Sequence, residues 1–178
     1  SEVERLIEDI RRANEELNRK SERKSRESKK ENDRLNRESD KKSRDSERVL
    51  EELRRRNITS KDLRKKAREL REDHRRYLER LKRALEELAR DHERYLRELD
   101  EALRRLLTRV RETERRITDE ELVRRLDELL KESETNVRDN KRRVRDNLRR
   151  TEENARRNLE KVKKNVRKID KVIKEIET

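Results

Sequence analysis

The sequence predicts an all-α protein: a straight up-down-up three-helix bundle with long helices of nearly equal length and an 18-residue repeat in its core. Three observations predict this fold. Capping patterns divide the chain into three nearly equal parts, which gives ~55-residue helices. The connections between the parts are very short. Within each part, the core-facing positions recur with the period of an α-helix.

Each of the three predicted helix starts has a hydroxyl at the N-cap and an acidic residue three positions later. There the hydroxyl accepts a free backbone N–H, the acid reaches back to the cap, and negative charge suits the helix N-terminus. The patterns span residues 1–4, 59–62 and 118–121, with Ser1, Thr59 and Thr118 as the capping hydroxyls. We therefore expect helices over residues 2–56, 60–115 and 119–177.

Both connections carry further turn features. Ile58 and Ile117 each precede a leucine, Leu63 and Leu122, by five residues, which is the spacing of a hydrophobic staple. Asn57 suits the left-handed conformation that ends many helices, in a chain that has no Gly. Helices of this length are about 80–90 Å long, and such short turns favour an up-down-up arrangement.

The core-facing positions follow an 18-residue repeat in every helix. Five core-facing positions per repeat correspond to about 3.6 residues per turn, so the core-facing seam does not drift and we expect straight, nearly parallel helices. The repeat uses Ser, Asn and Leu in the first helix, Leu, His and Tyr in the second, and mainly Asn and Val in the third. The positions are 21, 25, 28, 32, 35, 39, 43, 46, 50 and 53; then 70, 74, 77, 81, 85, 88, 92, 95, 99 and 103; then 133, 136, 140, 144, 147, 151, 154, 158, 162 and 165.

The middle of the first helix has an unusual composition for a core element. Residues 18–48 contain one apolar residue, Leu35, and composition alone would predict disorder. Yet the Ser and Asn side chains keep to one face over two repeats, which favours a folded helix. Apolar residues are concentrated at the two ends of the predicted bundle, where we expect them to supply most of the stability.

Aligning the helix midpoints places residue i of the first helix beside about 117 − i of the second and 119 + i of the third. Ser21 and Ser25 then lie beside His92, Tyr95 and Asn140. The same alignment, one repeat along, predicts a second group. We therefore expect two buried Ser–His/Tyr–Asn networks, in which each unpaired member would cost about 1–3 kcal/mol and so penalise wrong helix alignments. The predicted members are Ser21, Ser25, Ser28, Ser39, Ser43, Ser46, His74, Tyr77, His92, Tyr95, Asn136, Asn140, Asn147, Asn154, Asn158 and Asn165.

Over its whole length the chain resembles de novo designed helical bundles with buried hydrogen-bond networks. The resemblance rests on the 18-residue repeat, the matched helix lengths, the two Ile-Thr turns and predicted helix surfaces composed almost wholly of Arg, Lys, Glu and Asp. Such designs often have Gly or Pro in their loops, and this chain has neither. The resemblance implies stability and helix specificity rather than an evolved activity.

The composition argues against most catalytic and cofactor-binding classes. Without Cys there are no disulfides or thiolate metal sites, and without Gly there are no phosphate-binding loops. His74 and His92 lie about 27 Å apart along one helix, too far to share a metal ion. Each follows an Asp, and neighbours in sequence point apart on a helix. We therefore expect no enzymatic activity, no cofactor and no metal site.

The charge distribution raises the question of an anionic partner. The formal net charge is +13, and residues 136–168 contain 14 basic and five acidic residues. Such a stretch could attract phosphate groups. However, acidic residues interrupt it and it contains no aromatic side chain to stack on bases. We expect a solvated helix face, with no specific nucleic-acid partner and no membrane association.

These observations predict a single domain over residues 1–178 that acts as a structural scaffold, with no required partner. The alternative is a protomer of a designed homo-oligomer or heteromeric binder, with the Ser and Asn positions forming its interface. A rod that binds anions or nucleic acid is a more distant alternative. We expect neither a targeting signal nor a membrane-spanning segment, and the sequence leaves the localisation open.

Overall fold

The computed structural model describes residues 1–55 and 61–177, apart from the side chains of Leu63, Ile176 and Glu177. Three helices account for nearly all of these residues. They are α1 (Glu2–Arg55), α2 (Lys61–Glu114) and α3 (Glu120–Glu177). The predicted all-α, three-helix fold is confirmed, and the helix ends agree with the predicted ones to within one residue.

The first predicted cap is present. The backbone N–H of Glu4 donates to Ser1 Oγ at 3.3 Å, and the Glu4 carboxylate lies 3.7 Å from the N-terminal ammonium group. Both contacts place negative charge or a hydrogen-bond acceptor at the positive end of α1. The predicted cap at Thr59 and the predicted helix-ending residue Asn57 lie outside the described residues.

The third predicted cap was wrong by one residue. Because α3 begins at Glu120, the N-cap is Asp119, whose Oδ1 accepts the backbone N–H of Glu121 at 3.0 Å. The predicted capping hydroxyl of Thr118 therefore lies one position before the cap. A carboxylate at the N-cap satisfies a free N–H and also interacts favourably with the helix dipole.

The turn between α2 and α3 closes without glycine. The backbone N–H of Arg116 donates to the Thr113 carbonyl at 3.0 Å, and the N–H of Ile117 donates to the Glu114 carbonyl at 3.2 Å. These three-residue spacings tighten the last turn and satisfy carbonyls that the helix end leaves free. Ile117 and Leu122 pack against the same apolar cluster, as the predicted staple requires.

The chain divides into two compact units, each containing a stretch of all three helices. Unit 1 consists of residues 1–28 and 89–149, and unit 2 consists of residues 29–88 and 150–178. In both units, α1 pairs with antiparallel α2 and parallel α3. The single-domain organisation stays a prediction.

Unit 1 contains two apolar clusters. The larger one joins the start of α1, the end of α2 and the start of α3, and is formed by Val3, Leu6, Ile7, Ile10, Leu106, Val110, Leu126 and Leu130. The smaller one surrounds the Tyr95 ring and is completed by Leu99, Val137 and Val144. Aliphatic side chains buried in this way each stabilise a fold by about 1.5–3 kcal/mol.

Unit 2 has the same plan. One cluster joins the end of α1, the start of α2 and the end of α3, and is formed by Val49, Leu50, Leu53, Ala67, Ile169, Val172 and Ile173. The other surrounds the Tyr77 ring and contains Leu35, Leu81 and Val162. Each unit thus contains one larger apolar cluster and one smaller cluster that includes a tyrosine. No helix in the part of the chain that the structure describes has a segment long and apolar enough to span a membrane.

Candidate functional site

The candidate site is the set of polar side chains that bond between the helices, most of which are buried or half-buried, whereas Asn18 is exposed. Five of the six Ser residues predicted as network members are buried, and Ser25 is half-buried: Ser21 and Ser39 are 0% exposed, Ser46 is 1% exposed, and Ser28 and Ser43 are also buried. The polar middle segment of α1 is helical throughout. Its small hydroxyls leave room for the much larger His and Tyr side chains of α2, which are likewise buried.

The α1–α2 contacts follow the predicted alignment. Ser21 Oγ and Tyr95 Oη are hydrogen-bonded at 2.7 Å, and Ser39 Oγ and Tyr77 Oη at 3.0 Å. In both pairs the two residue numbers add to 116, against the predicted value of about 117. The tyrosine hydroxyl of the first pair also donates to the Leu17 carbonyl at 3.3 Å.

The α1–α3 contacts differ from the predicted pairing by about one helical turn. Asn140 was expected beside Ser21 and Ser25, but its Nδ2 donates to Asn18 Oδ1 at 2.8 Å. Ser25 Oγ instead accepts from Asn147 Nδ2 at 2.6 Å. The numbers of these bonded partners differ by 122, whereas the predicted difference of 119 occurs where Asn14 bonds to Ser133 and Asn32 bonds to Thr151. Matching helix midpoints cannot resolve this difference, because three residues amount to only about 4.5 Å of rise.

Unit 2 repeats the same pattern one repeat further along the helices. Asn158 Nδ2 donates to Asn36 Oδ1 at 2.8 Å, and Asn165 Nδ2 donates to Ser43 Oγ at 2.9 Å. These contacts again replace the predicted pairing of Asn158 with Ser39 and Ser43. Each unit therefore contains one copy of a polar network with equivalent residues and equivalent α1–α3 bonds between Asn and Ser side chains.

Six network residues were not predicted as members. Asn14 lies between two α3 side chains: its Nδ2 donates to Ser133 Oγ at 2.9 Å, and its Oδ1 accepts from Asn136 Nδ2 at 3.3 Å. The equivalent contacts in unit 2 join an Asn to Thr151 and Asn154. The 18-residue repeat could have identified all six, because they recur with it. They are Asn14, Asn18, Asn32, Asn36, Ser133 and Thr151.

Several network side chains also bond to the backbone of their own helix. Asn140 Nδ2 donates to the Asn136 carbonyl at 2.9 Å, and Asn158 Nδ2 does the same to Asn154 at 3.0 Å. Ser25 Oγ donates to the Ser21 carbonyl at 3.1 Å. Bonds to the carbonyl four residues earlier hold these side chains against their helix. The amides then point in a defined direction toward the neighbouring helix.

Two lysines of α1 lie at the rim of the networks. Lys24 Nζ is 2.9 Å from Asp91 Oδ2 and 5.0 Å from the centre of the Tyr95 ring. In unit 2, Lys42 pairs with Asp73 and lies 5.6 Å from the centre of the Tyr77 ring. The hydrogen bond from Lys24 lowers the pKa of the Asp91 carboxyl group. The ammonium groups thus combine an ion pair with a cation–π contact over the buried tyrosines.

The two predicted histidines are buried, but their hydrogen bonds differ. His92 Nε2 and Ser28 Oγ are 3.4 Å apart and hydrogen-bonded. His74 Nδ1 lies 2.9 Å from the Leu70 carbonyl oxygen. Within the described residues, however, His74 Nε2 and Ser46 Oγ have no hydrogen-bond partner.

The surroundings of His74 decide its charge state. Burial lowers the pKa of the imidazole, and the bond to the Leu70 carbonyl and the nearby Asp73 carboxylate oppose this effect. Asp73 Oδ2 is 3.9 Å from His74 Nδ1, so the expectation that these neighbours point apart was wrong.

The arrangement is suited to positioning helices. Its hydroxyls and imidazoles are buried, and the Ser28–His92 pair in particular is at most 5% exposed. Nucleophilic catalysis needs a substrate carbonyl beside the nucleophile and free donors for the oxyanion. In residues 1–55 and 61–177 the structure contains no group of three or more side chains that could hold a metal ion.

No protein-family model and no curated protein matches the chain. A search of solved structures finds similarity to a "Computationally designed three helix bundle", with 17% sequence identity, 99% coverage of this chain, 84% coverage of that chain and a TM-score of 0.32. The three-helix architecture rests on the helices and contacts described above.

Proposed function

We propose that this chain is a designed structural scaffold without an evolved biochemical activity, and that its buried polar networks specify the alignment of the three helices. The supporting observation is that one alignment satisfies both networks. The residue numbers of six α1–α3 pairs differ by 122, those of the other two network pairs, 14 with 133 and 32 with 151, differ by 119, and those of both Ser–Tyr pairs add to 116. The six pairs that differ by 122 are 14 with 136, 18 with 140, 25 with 147, 32 with 154, 36 with 158, and 43 with 165.

A shift of one helix relative to its neighbours would break these bonds together. An axial shift of one turn moves a side chain by about 5.4 Å, which is well beyond hydrogen-bonding distance. Each buried amide or hydroxyl left unpaired would then cost about 1–3 kcal/mol. Aliphatic side chains discriminate less, because they can repack against new apolar partners. Buried Asn residues set helix register in coiled coils in the same way.

Distance measurements between spin labels on α1 and α3 test this role. Labels at the exposed positions Arg19 and Arg142, through Arg19→Cys and Arg142→Cys, report the alignment of the helices within unit 1. The test variant replaces both partners of the Asn18–Asn140 pair and of the Asn14–Asn136 pair with Leu. We expect one narrow distance distribution for the unsubstituted network and a broad or shifted distribution for the variant.

Thr108→Leu serves as the control, because the Thr108 hydroxyl is exposed and bonds only within α2, to the Arg104 carbonyl. It should leave the distance distribution unchanged. If the four-Leu variant folds and keeps the same narrow distribution as the control, the networks do not specify the alignment and the proposal fails.

The alternative function is a protomer of a homo-oligomer or heteromeric binder that uses the Ser and Asn side chains as its interface. These side chains bond to partners within the chain, for example Asn147 to Ser25 and Asn165 to Ser43. An intermolecular interface would have to replace those bonds. The contacts therefore support the single-chain scaffold.

A further inference from the structure

Among the described residues, the core of unit 2 contains a serine and a histidine with buried polar atoms that form no hydrogen bond. These atoms are Ser46 Oγ and His74 Nε2, on side chains that are 1% and 0% exposed. The equivalent side chains one repeat earlier along α1 and later along α2 are Ser28 and His92, which are hydrogen-bonded to each other. The repeat therefore places Ser46 opposite His74, while the direct bond found in unit 1 is not made in unit 2.

The hydrogen bonds of the His74 ring determine what kind of partner Nε2 requires. Nδ1 is 2.9 Å from the Leu70 carbonyl oxygen, so Nδ1 carries the proton and donates it. In a neutral imidazole the other nitrogen then has a lone pair and accepts. Nε2 thus needs a donor.

The two nearby donors do not bond to Nε2. The Ser46 hydroxyl forms no hydrogen bond within the described residues, and the Lys42 ammonium group pairs with the Asp73 carboxylate. The Lys42 backbone also interacts with the ring through a contact that favours the protonated imidazole, as a carbonyl acceptor does. The Asp73 carboxylate, 3.9 Å from Nδ1, is another acceptor. The following core residues, Val49 and Leu50, are apolar and buried. The acceptor Nε2 of a neutral His74 therefore has no bonded donor within the described residues.

We propose that one water molecule binds between Ser46 Oγ and His74 Nε2. The water donates one hydrogen to Nε2 and accepts the Ser46 hydroxyl hydrogen, and its second hydrogen is available to the Lys42 carbonyl. Buried waters in proteins commonly make about three hydrogen bonds of this kind to groups that would otherwise be unpaired. His74 Nε2 and the Lys42 carbonyl are both acceptors. A water molecule can donate one hydrogen to each of them, whereas a direct Ser46–His74 hydrogen bond would supply a donor to Nε2 alone.

NMR of the full chain at neutral pH tests the proposal. Long-range ¹H–¹⁵N spectra should show that His74 is neutral with its proton on Nδ1. Cross-relaxation experiments should show a long-lived water at the Hε1 and Hδ2 protons of His74, and no such water at those of His92. The water signal at His74 should weaken in Ser46→Ala, which keeps the reporting ring protons but removes the hydroxyl that donates to the water, and it should be unchanged in the matched control Ser28→Ala.

A high-resolution crystal structure of the unsubstituted chain gives a second test that does not depend on how the variants fold. It should show a density peak within hydrogen-bonding distance of both Ser46 Oγ and His74 Nε2. A direct Ser46–His74 hydrogen bond with no such peak would overturn the proposal. Equal water signals at both histidines would also overturn it, because they would indicate general hydration of the core.

Discussion

The amide nitrogen of an asparagine in a core has two hydrogens to donate, and the structure shows how one side chain uses both. Asn140 donates to Asn18 of α1 and to the Asn136 carbonyl of its own helix. The bond within α3 orients the amide, and the bond between helices uses that orientation. Because the energetic penalty for a lost partner exceeds the gain from a formed one, such residues select an alignment more than they add stability.

His74 makes folding stability depend on pH. Burial lowers its pKa below the ordinary value of 6.5, against the opposing effects of the Leu70 carbonyl and Asp73, while the Lys42 ammonium group lowers it further. The folded chain therefore binds fewer protons at this site than the unfolded chain. The contribution of His74 to the free energy of unfolding should be fully present above pH 6.5. This contribution should fall as the pH decreases from 6.5 to the pKa of His74 in the folded chain.

Urea unfolding at a series of pH values between about 7.5 and 5 checks this expectation, with His74→Leu as the comparison. The substituted chain should lose less stability across this interval than the unsubstituted chain. Lys24 and Lys161 lower the pKa values of the Asp91 and Asp40 carboxyl groups from 3.8. These two groups therefore titrate below pH 5 and do not contribute to the difference between the two chains. Parallel pH profiles of the two chains would contradict the assignment.

At the scale of the helix, α1 is held by its partners more than by its own composition. Leu35 is the one apolar residue between residues 18 and 48, and an isolated helix gains little from Ser and Asn in its interior. Tertiary contacts therefore decide whether this stretch is helical. The ends of α1 differ, because they contribute Leu6, Ile10 and Leu53 to apolar clusters.

We expect the amides in the middle of α1 to exchange hydrogen faster than those near its ends. Local opening breaks a few polar contacts in the middle, whereas at the ends it exposes buried aliphatic side chains. Hydrogen–deuterium exchange followed by NMR should show the lowest protection between residues 21 and 46. Equal protection along the whole of α1 would show that the networks resist opening as strongly as the apolar clusters do.

The start of α3 offers a matched pair of substitutions. Asp119→Ala removes the carboxylate that accepts the Glu121 N–H and should lower the free energy of unfolding by about 0.5–2 kcal/mol. Thr118→Ala changes the preceding hydroxyl, which does not cap the helix, and should have an effect within about 0.5 kcal/mol. Chemical denaturation measures both. A larger effect from Thr118→Ala than from Asp119→Ala would restore the hydroxyl cap predicted from the sequence.

At the scale of the whole molecule, the state of association distinguishes the proposed scaffold from an oligomer. The Ser and Asn side chains bond within one chain, so we expect a mass of 22.1 kDa. Size-exclusion chromatography with light scattering measures this directly. A multiple of that mass, unaffected by high salt, would favour the protomer alternative. An increase in mass that high salt abolishes would instead indicate electrostatic association.

The amino-acid sequence by itself determined the three helices, their ends to within a residue, and the face that each helix turns to the core. It also determined that the His and Tyr side chains of α2 lie level with the Ser residues of α1. These features follow from local rules, since capping chemistry acts within a turn and a repeat that matches the helical period keeps one face of a helix aligned.

Only the tertiary structure decided which side chains bond. It assigned Asn140 to Asn18 and Ser25 to Asn147, brought Lys24 over Tyr95, and separated the repeat-related Ser28 and Ser46 into bonded and unbonded residues. The reason is one of scale. Hydrogen bonds tolerate a few tenths of an ångström, whereas sequence periodicity leaves the axial position of neighbouring helices undetermined by about one turn, or about 5.4 Å. The packing of the cores removes that uncertainty.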